Sequence, residues 1–156
     1  MEEYVMQSPV GPLRLRQEGD TIVGLYFGGT VSEGEPPTAL LGETRMQLSQ
    51  YFAGKRKNFD LPLRFGGTAF QHAVWEALRD IPYGESRTYG QIAAAIGRPR
   101  AVRAVGRAIG SNPISILVPC HRVIGKDGTL TGFGGGLAVK EQLLKGEGIP
   151  FQAAKK

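Results

Sequence analysis

The chain has 156 residues and a mass of 16.8 kDa, a size that excludes a large multidomain assembly and fits one ordinary domain or two small ones. Hydrophobic residues make up 41% and charged residues 21%, which argues against wholesale disorder, a collagen-like sequence or a coiled-coil fibre. The formal net charge is +5, and residues 86–112 carry five arginines and no acidic residue, which favours a polyanionic partner, with a solvated face as the alternative.

The cysteine and histidine content limits the chemistry of the chain. The single cysteine, Cys120, has no partner for an intramolecular disulfide, and His72 and His121 are too few to complete a zinc site with it. We therefore expect no metal. The sequence lacks a run of roughly eighteen apolar residues, and its N-terminus lacks the basic-then-apolar pattern of an export signal. We expect a cytoplasmic protein with no membrane segment.

The first part of the chain predicts a small sheet followed by one helix. Apolar residues alternate with polar ones over residues 4–27, which is typical of a β-hairpin or meander. Residues 40–52 fit an amphipathic helix. The glycine pair in residues 62–67 marks the predicted boundary between an N-terminal scaffold domain, residues 1–67, and a C-terminal domain, residues 68–156.

Three helices are predicted in the C-terminal domain ahead of the cysteine. Residues 70–81 carry apolar side chains at helical spacing. Thr88 and Gln91 have the spacing of a capping box, which predicts a short helix from Thr88 to Gly97. The next helix is predicted to begin with Pro99 in its first turn. The stripe that this helix is expected to bury consists of Val102, Val105, Gly106 and Ile109.

Two short helices joined by a tight turn resemble a helix-turn-helix, whose second helix lies in a groove of DNA. Arg100, Arg103 and Arg107 are spaced so as to share one face of the second predicted helix, opposite its apolar stripe. This pattern predicts a DNA-binding surface. An ordinary helical hairpin with exposed arginines is the alternative.

An apolar run and a glycine-rich loop flank the cysteine. Residues 113–119 are bounded by prolines and predict a buried or edge strand that leads to Cys120. The glycine-rich loop at residues 132–136 precedes a helix predicted over residues 137–145. Because the loop lacks the lysine and hydroxyl residue of a Walker loop, we interpret it as a wall against a flat base and not as a phosphate cradle.

These elements together predict an α/β (α+β) protein. Its N-terminal domain is expected to combine a small β-sheet with one helix. Its C-terminal domain is expected to be mostly helical, with a helix-turn-helix and a short active-site strand.

Cys120 is the candidate nucleophile. A thiol needs a lowered pKa or a nearby base before it can attack, and His121 and Arg122 follow it directly. Adjacent residues of an extended chain point to opposite sides, so a water between Cys120 and His121 is the easier geometry. The alternative is an inert buried thiol, because free cysteine packs as a small hydrophobic residue.

A longer motif surrounds the cysteine. Residues 119–124 are Pro-Cys-His-Arg-Val-Ile, and residues 110–113 are Gly-Ser-Asn-Pro. Residues 135–141 are Gly-Gly-Leu-Ala-Val-Lys-Glu, and a Glu-Gly pair follows at residues 147–148. This combination resembles the O6-alkylguanine-DNA alkyltransferase family over about residues 68–148, and more weakly over the N-terminal domain.

The resemblance implies a damage-reversal protein that flips an alkylated guanine out of double-stranded DNA. It implies irreversible transfer of the alkyl group to Cys120 without a cofactor. His121 would take the thiol proton through a water, and Glu147 would orient His121. Asn112 would hold the turn that joins the helix-turn-helix to the active-site strand. Tyr89 would donate a hydrogen bond or a proton to the purine as the alkyl group leaves.

The same resemblance implies the contacts with the substrate. Arg103 would enter the gap left by the flipped nucleotide, with the second helix in the minor groove. The carbonyls of Cys120 and Val123 would accept from the exocyclic amine of guanine. Phe133 and Gly134 stand where some members have a tyrosine and a serine, so only the amide of Gly134 remains as donor to the guanine oxygen, in a wider pocket. The remaining implied contacts are those of Gly135 and Lys140 with the substrate and of Arg100, Arg107 and Thr88 with the DNA backbone.

Other interpretations of the sequence stay open. A DNA-binding module without chemistry would use only the arginine face, and a thiol hydrolase would use Cys120 and His121 over many turnovers. Tyr89 could be a half-buried core aromatic, Glu147 a surface acid and Asn112 a helix C-cap. On the favoured interpretation the partner is double-stranded DNA that contains O6-alkylguanine, and we expect the protein to be a monomer.

Overall fold

The structure, a computed structural model, describes residues 1–130 and 133–152 and divides the chain into two compact units, Met1–Phe65 and a second that begins at Gly66. The first unit contains β1 (Glu2–Met6), β2 (Leu13–Glu18), β3 (Thr21–Phe27) and α1 (Ala39–Phe52). The second contains α2 (Ala69–Arg79), β4 (Arg87–Thr88), α3 (Tyr89–Ala95), α4 (Val102–Gly110), a 3₁₀ turn (Cys120–Arg122), β5 (Val123–Ile124) and α5 (Leu137–Glu147). The predicted α/β class is confirmed. Within the described residues no helix is long and apolar enough to cross a membrane.

The first unit is an antiparallel meander in the order β1-β2-β3, and α1 contacts all three strands. Leu15 of β2 pairs with Tyr4 of β1 and with Leu25 of β3, and all three side chains are buried. Alternation along each strand therefore produces one apolar face, which α1 covers with Leu41 and Leu48. The predicted meander and the predicted helix are confirmed.

The helix α2 is fixed at its start and along its buried face. Thr68 and Gln71 form a capping box, in which each side chain accepts a hydrogen bond from the other residue's backbone amide. Trp75 is buried and donates from Nε1 to the carbonyl of Ala108 in α4 at 2.8 Å. This bond ties α2 to α4, because a buried indole N–H needs an acceptor.

The two short helices α3 and α4 follow the predicted order with corrected bounds. The capping box of Thr88 and Gln91 is confirmed, with Thr88 as the N-cap of α3. The predicted first turn at Pro99 is wrong, because α4 begins three residues later, at Val102. Val102 is also 39% exposed, so the buried stripe of α4 consists of Val105, Ala108 and Ile109 instead.

Residues 113–119 do not form the predicted strand. The chain folds back on itself there, with the amide of Val118 donating to the carbonyl of Ile114 at 2.9 Å. Asn112 causes this turn: its Nδ2 donates to the carbonyl of Val118 at 2.9 Å, and its Oδ1 accepts from the amide of Ile114 at 3.0 Å. The apolar residues of this segment are buried as expected, but the hydrogen bonds of Asn112 hold the segment in a turn.

The turn contains one strained residue, Ile116, whose φ is 70°. A left-handed conformation costs a β-branched residue about 1–2 kcal/mol. Ile116 is only 1% exposed, and burying such a side chain contributes about 2–3 kcal/mol, which offsets the strain.

The strand of the active-site region follows the cysteine instead of preceding it. The two residues of β5 pair in parallel with β4, which joins the segment after Cys120 to the start of α3. The last helix, α5, extends to Glu147, two residues beyond its predicted end, and Gly148 ends it at a φ of 73°. The predicted glycine-rich loop at residues 132–136 begins at Gly132, which lies outside the described residues.

Candidate active site

Cys120 is the first residue of the 3₁₀ turn and is 5% exposed. Its amide donates to the carbonyl of Val118 at 2.8 Å, so the bent segment before it sets its position. A 3₁₀ turn has three residues per turn, so consecutive side chains point in three directions. The extended geometry expected for Cys120 and His121 is therefore wrong, and the turn directs Cys120, His121 and Arg122 to different surroundings, all buried.

The groups around the thiol of Cys120 have opposite effects on its pKa. Burial raises the pKa of Cys120 above its ordinary value. A hydrogen bond with Asn112, the positive charge of Lys140 and a hydrogen bond with Ser115 each favour the thiolate, but they do not overcome burial. The thiol is therefore protonated at rest and needs a base before it can attack.

His121 lies between the turn and the end of α5. It is completely buried, and its Nε2 lies 2.6 Å from Oε2 of Glu147. Because a carboxylate only accepts, Nε2 carries the proton and donates, which makes Nδ1 the basic nitrogen. Desolvation lowers the pKa of His121, while Glu147 raises it and Arg122 and Lys140 lower it further. The imidazole is thus neutral near pH 7, and Nδ1 has no hydrogen-bond partner among the described residues.

Arg122 is the second partner of Glu147. Its Nε donates to Oε1 of Glu147 at 2.8 Å, and its Nη1 donates to the carbonyl of Ile81 at 2.7 Å. These contacts of Arg122 were not predicted from the sequence, in which Arg122 is only a neighbour of the cysteine. The signal was present, because an arginine inside a buried apolar run requires a carboxylate partner.

Lys140 and Val123 are hydrogen-bonded to each other close to the cysteine. Lys140, on α5, is 1% exposed, and its Nζ donates to the carbonyl of Val123 at 2.6 Å. Burial lowers the pKa of Lys140 to about 8. The expected substrate acceptor at Val123 therefore already carries one hydrogen bond, and one lone pair of its oxygen remains for a second donor.

A groove opens beside Tyr89, at the start of α3. It has a volume of about 550 Å³, and its walls include Thr88, Gln91 and Val102. Lys126, which is not among the predicted site residues, also lines the groove. The lysine follows β5, so the parallel pairing of β4 with β5 is what brings it close to Thr88.

The predicted arginine face lies at the surface of the helix-turn-helix. Arg103 and Arg107 are exposed on α4, while Arg100 precedes the helix by two residues. The expectation that all three share one helical face is therefore wrong for Arg100. All three belong to the run of residues 86–112, which carries five arginines and no acidic residue.

The segment before α5 is a tight turn in which the amide of Gly136 donates to the carbonyl of Phe133 at 2.9 Å. Phe133 and Gly135 are half-buried and Gly134 is exposed. A metal site needs a cluster of acidic, histidine or cysteine side chains, and the part of the chain that the structure describes holds no such group of three.

The fold and the site define a two-unit α/β protein that combines a helix-turn-helix with a buried cysteine, histidine and glutamate. Residues 1–65 match the family described as 6-O-methylguanine DNA methyltransferase, ribonuclease-like domain, and residues 69–149 match its DNA binding domain. The chain belongs to the 6-O-methylguanine DNA methyltransferase family, so the resemblance seen in the sequence is confirmed.

Individual relatives agree with this assignment. The methylated-DNA--protein-cysteine methyltransferase of Haemophilus influenzae is 48% identical over 151 residues, which cover 92% of this chain and 84% of the relative. That of Methanosarcina acetivorans is 48% identical over 150 residues, covering 92% and 96%. The crystal structure of Mycobacterium tuberculosis OGT in complex with DNA is similar with a TM-score of 0.87 and 47% identity, covering 95% of this chain and 93% of that one.

Proposed function

We propose that this protein repairs DNA by transferring the alkyl group of O6-alkylguanine to Cys120, once per molecule. The observation that carries the proposal is the distance of 2.6 Å between Nε2 of His121 and Oε2 of Glu147, where His121 directly follows the buried Cys120. A neutral, fully buried histidine with a fixed tautomer is the base that a protonated thiol requires. The relatives named methylated-DNA--protein-cysteine methyltransferase support the same reaction.

The transfer begins with the thiol proton. Cys120 releases it through a water to Nδ1 of His121, and Glu147 stabilises the imidazolium that forms. The sulfur then attacks the alkyl carbon, forming an S–C bond as the O6–C bond breaks and its electron pair moves to the guanine. A thioether has no good leaving group, so Cys120 stays alkylated and the protein needs no cofactor.

The pocket binds the base and assists the leaving guanine. Tyr89 donates to the purine ring and limits the negative charge that builds up there. The carbonyls of Cys120 and Val123 accept from the exocyclic amine, which selects guanine over adenine. The amide of Gly134 donates to the guanine oxygen. Phe133 and Gly135 line the pocket, and Lys140 holds the carbonyl of Val123 in place.

The basic surface of the second unit binds duplex DNA. Arg103 fills the space of the extruded nucleotide, and Arg100, Arg107 and Thr88 contact phosphates. The small residues of α4 let the helix approach the minor groove. Asn112 holds the turn that connects this surface to Cys120. We further propose that the N-terminal domain acts as a scaffold and that the protein works as a cytoplasmic monomer.

Mass spectrometry tests the proposal directly. After incubation with a duplex oligonucleotide that contains O6-methylguanine, the intact protein should gain one methyl group, located on Cys120 by peptide mapping. Cys120→Ser is the matched control and should gain none. Tight binding of the duplex with an unmodified sulfur would instead indicate a DNA-binding module, and repeated turnover of a thioester would indicate a hydrolase.

A further inference from the structure

The carboxylate of Glu147 is held from both sides. Oε1 accepts from Nε of Arg122 at 2.8 Å and from the amide of Gly84 at 3.2 Å. Oε2 contacts Nε2 of His121 at 2.6 Å and accepts from Nη2 of Arg122 at 3.3 Å. We propose that Arg122 is a positioning residue that keeps Glu147 an ionised acceptor for His121 and thereby keeps Nδ1 of His121 available as the base. This inference rests on the proposed function.

The guanidinium of Arg122 is itself fixed in place. Arg122 is 6% exposed, its Nη1 donates to the carbonyl of Ile81 at 2.7 Å, and its Cζ lies 5.7 Å from the centre of the Tyr83 ring. Because this planar group meets both carboxylate oxygens, it sets the orientation of the carboxylate and not only its charge. The direction in which Oε2 faces His121 therefore depends on Arg122.

The charge of Arg122 has a separate effect. A buried carboxylate beside an imidazole favours imidazolium, and an imidazolium cannot accept the thiol proton. The positive charge of Arg122 balances the carboxylate, so the imidazole remains neutral. The charged groups that act on His121 are Glu147 and Lys140 of α5 and Arg122 of its own turn, where Cys120 is its neighbour. The helix α2 also packs against this turn, and its ionisable residues are His72, Glu76 and Arg79, of which Glu76 and Arg79 pair with each other at the surface.

The decisive variants are Arg122→Gln, which removes the charge, and Arg122→Lys, which keeps it. The rate of methyl transfer from the duplex is measured in single turnovers across the pH range in which histidine titrates. We expect the acid limb of the Arg122→Gln profile to move to higher pH by about one unit. Arg122→Lys should keep the acid limb in place, because the positive charge remains. It should slow transfer severalfold, because the lysine ammonium cannot bind both carboxylate oxygens in the fixed geometry of the guanidinium. Arg79→Gln is the surface control and should match the wild type.

A purely structural role for Arg122 makes a different prediction. It would lower the rate by the same factor at every pH and leave the acid limb where it is, and that result would overturn the proposal. Should Arg122→Gln fail to fold, Arg122→Lys decides the question in the Glu147→Gln background. There it should cause no further loss, because the carboxylate that Arg122 orients is gone, and an undiminished loss would refute the coupling.

Nuclear magnetic resonance of the two histidine rings separates this inference from the proposed function. The free protein needs no substrate for the measurement, and Arg79→Gln serves as the control. In Arg122→Gln the protonation of His121 should move to higher pH than in the wild type, and in Arg79→Gln it should not move. If the wild type does not methylate Cys120 but this shift occurs, the proposed function fails and the electrostatic role of Arg122 stands. If His121 does not shift, the inference fails.

Discussion

Replacing Lys140 by Met should stabilise the protein and slow its chemistry. Lys140 is 1% exposed, and burial lowers its pKa from 10.5 to about 8. At about 1.4 kcal/mol per pKa unit, holding the charged ammonium in this position costs about 3 kcal/mol. Methionine fills the space of the lysine stem without that cost. The carbonyl of Val123 loses a donor, which costs about 1–2 kcal/mol, so we expect a net gain of about 1–2 kcal/mol at neutral pH.

The stability gained by Lys140→Met should depend on pH, because Lys140 titrates at a lower pH in the folded protein than in the unfolded chain. Below about pH 8 both folded and unfolded wild-type chains carry the lysine proton, so the full cost is present. Between about pH 8 and 10.5 the folded protein loses the proton first, and its free energy of unfolding rises. Lys140→Met lacks this rise, so its advantage should shrink across that interval. A Cys120→Ala background removes the opposing effect of the thiol, whose pKa is raised.

Urea and thermal unfolding measure the change. A gain of 1 kcal/mol corresponds to about 2–4 °C in melting temperature for a chain of this size. Lys145→Met is the matched control, because Lys145 pairs with Glu141 at the surface and is 67% exposed, so its loss should change stability by less than about 0.5 kcal/mol. A Lys140→Met protein that is less stable than its parent, by the same amount at every pH, would refute the reasoning. With Cys120 restored, methyl transfer should be slower, since the charge that favours the thiolate is gone.

Three further outcomes are expected. The pKa of His121 is lowered from 6.5, so the free energy of unfolding should decline as the pH falls below about 6.5, because the unfolded chain binds the proton there and the folded protein does not. Unfolding measured as a function of pH in the acid range checks this, and His121→Phe should reduce the dependence of the free energy of unfolding on pH. Asn112→Ala should lower the free energy of unfolding in urea by about 1–3 kcal/mol, because the Ile114 amide loses its partner and the Val118 carbonyl keeps only the amide of Cys120 as a donor; a change below about 0.5 kcal/mol would contradict the role of Asn112 in the turn. Arg103→Ala should slow transfer from duplex DNA far more than transfer from free O6-methylguanine, and equal losses in the two rate assays would reject its role in stabilising the extruded nucleotide.

The local elements of this fold could be predicted because their causes lie within a few residues. The capping box that begins α3 needs only Thr88 and Gln91, and the meander of the first unit follows from alternation around short turns. The bent segment at residues 113–119 could not be predicted in this way. Its apolar composition fits a strand, and only the two hydrogen bonds of the Asn112 side chain decide that the chain turns there.

The order of residues was enough to predict Cys120 as the nucleophile and, through the family resemblance, to associate it with His121 and Glu147, because that motif is a property of the chain alone. The contacts that determine their protonation depend on tertiary structure. Arg122 meets Glu147 across 25 positions and Ile81 across 41, and Lys140 meets Val123 across 17. Charged side chains can be buried only where folding supplies partners from distant segments, so the electrostatics of the thiol and the imidazole exist only once α2, α5 and the 3₁₀ turn have come together.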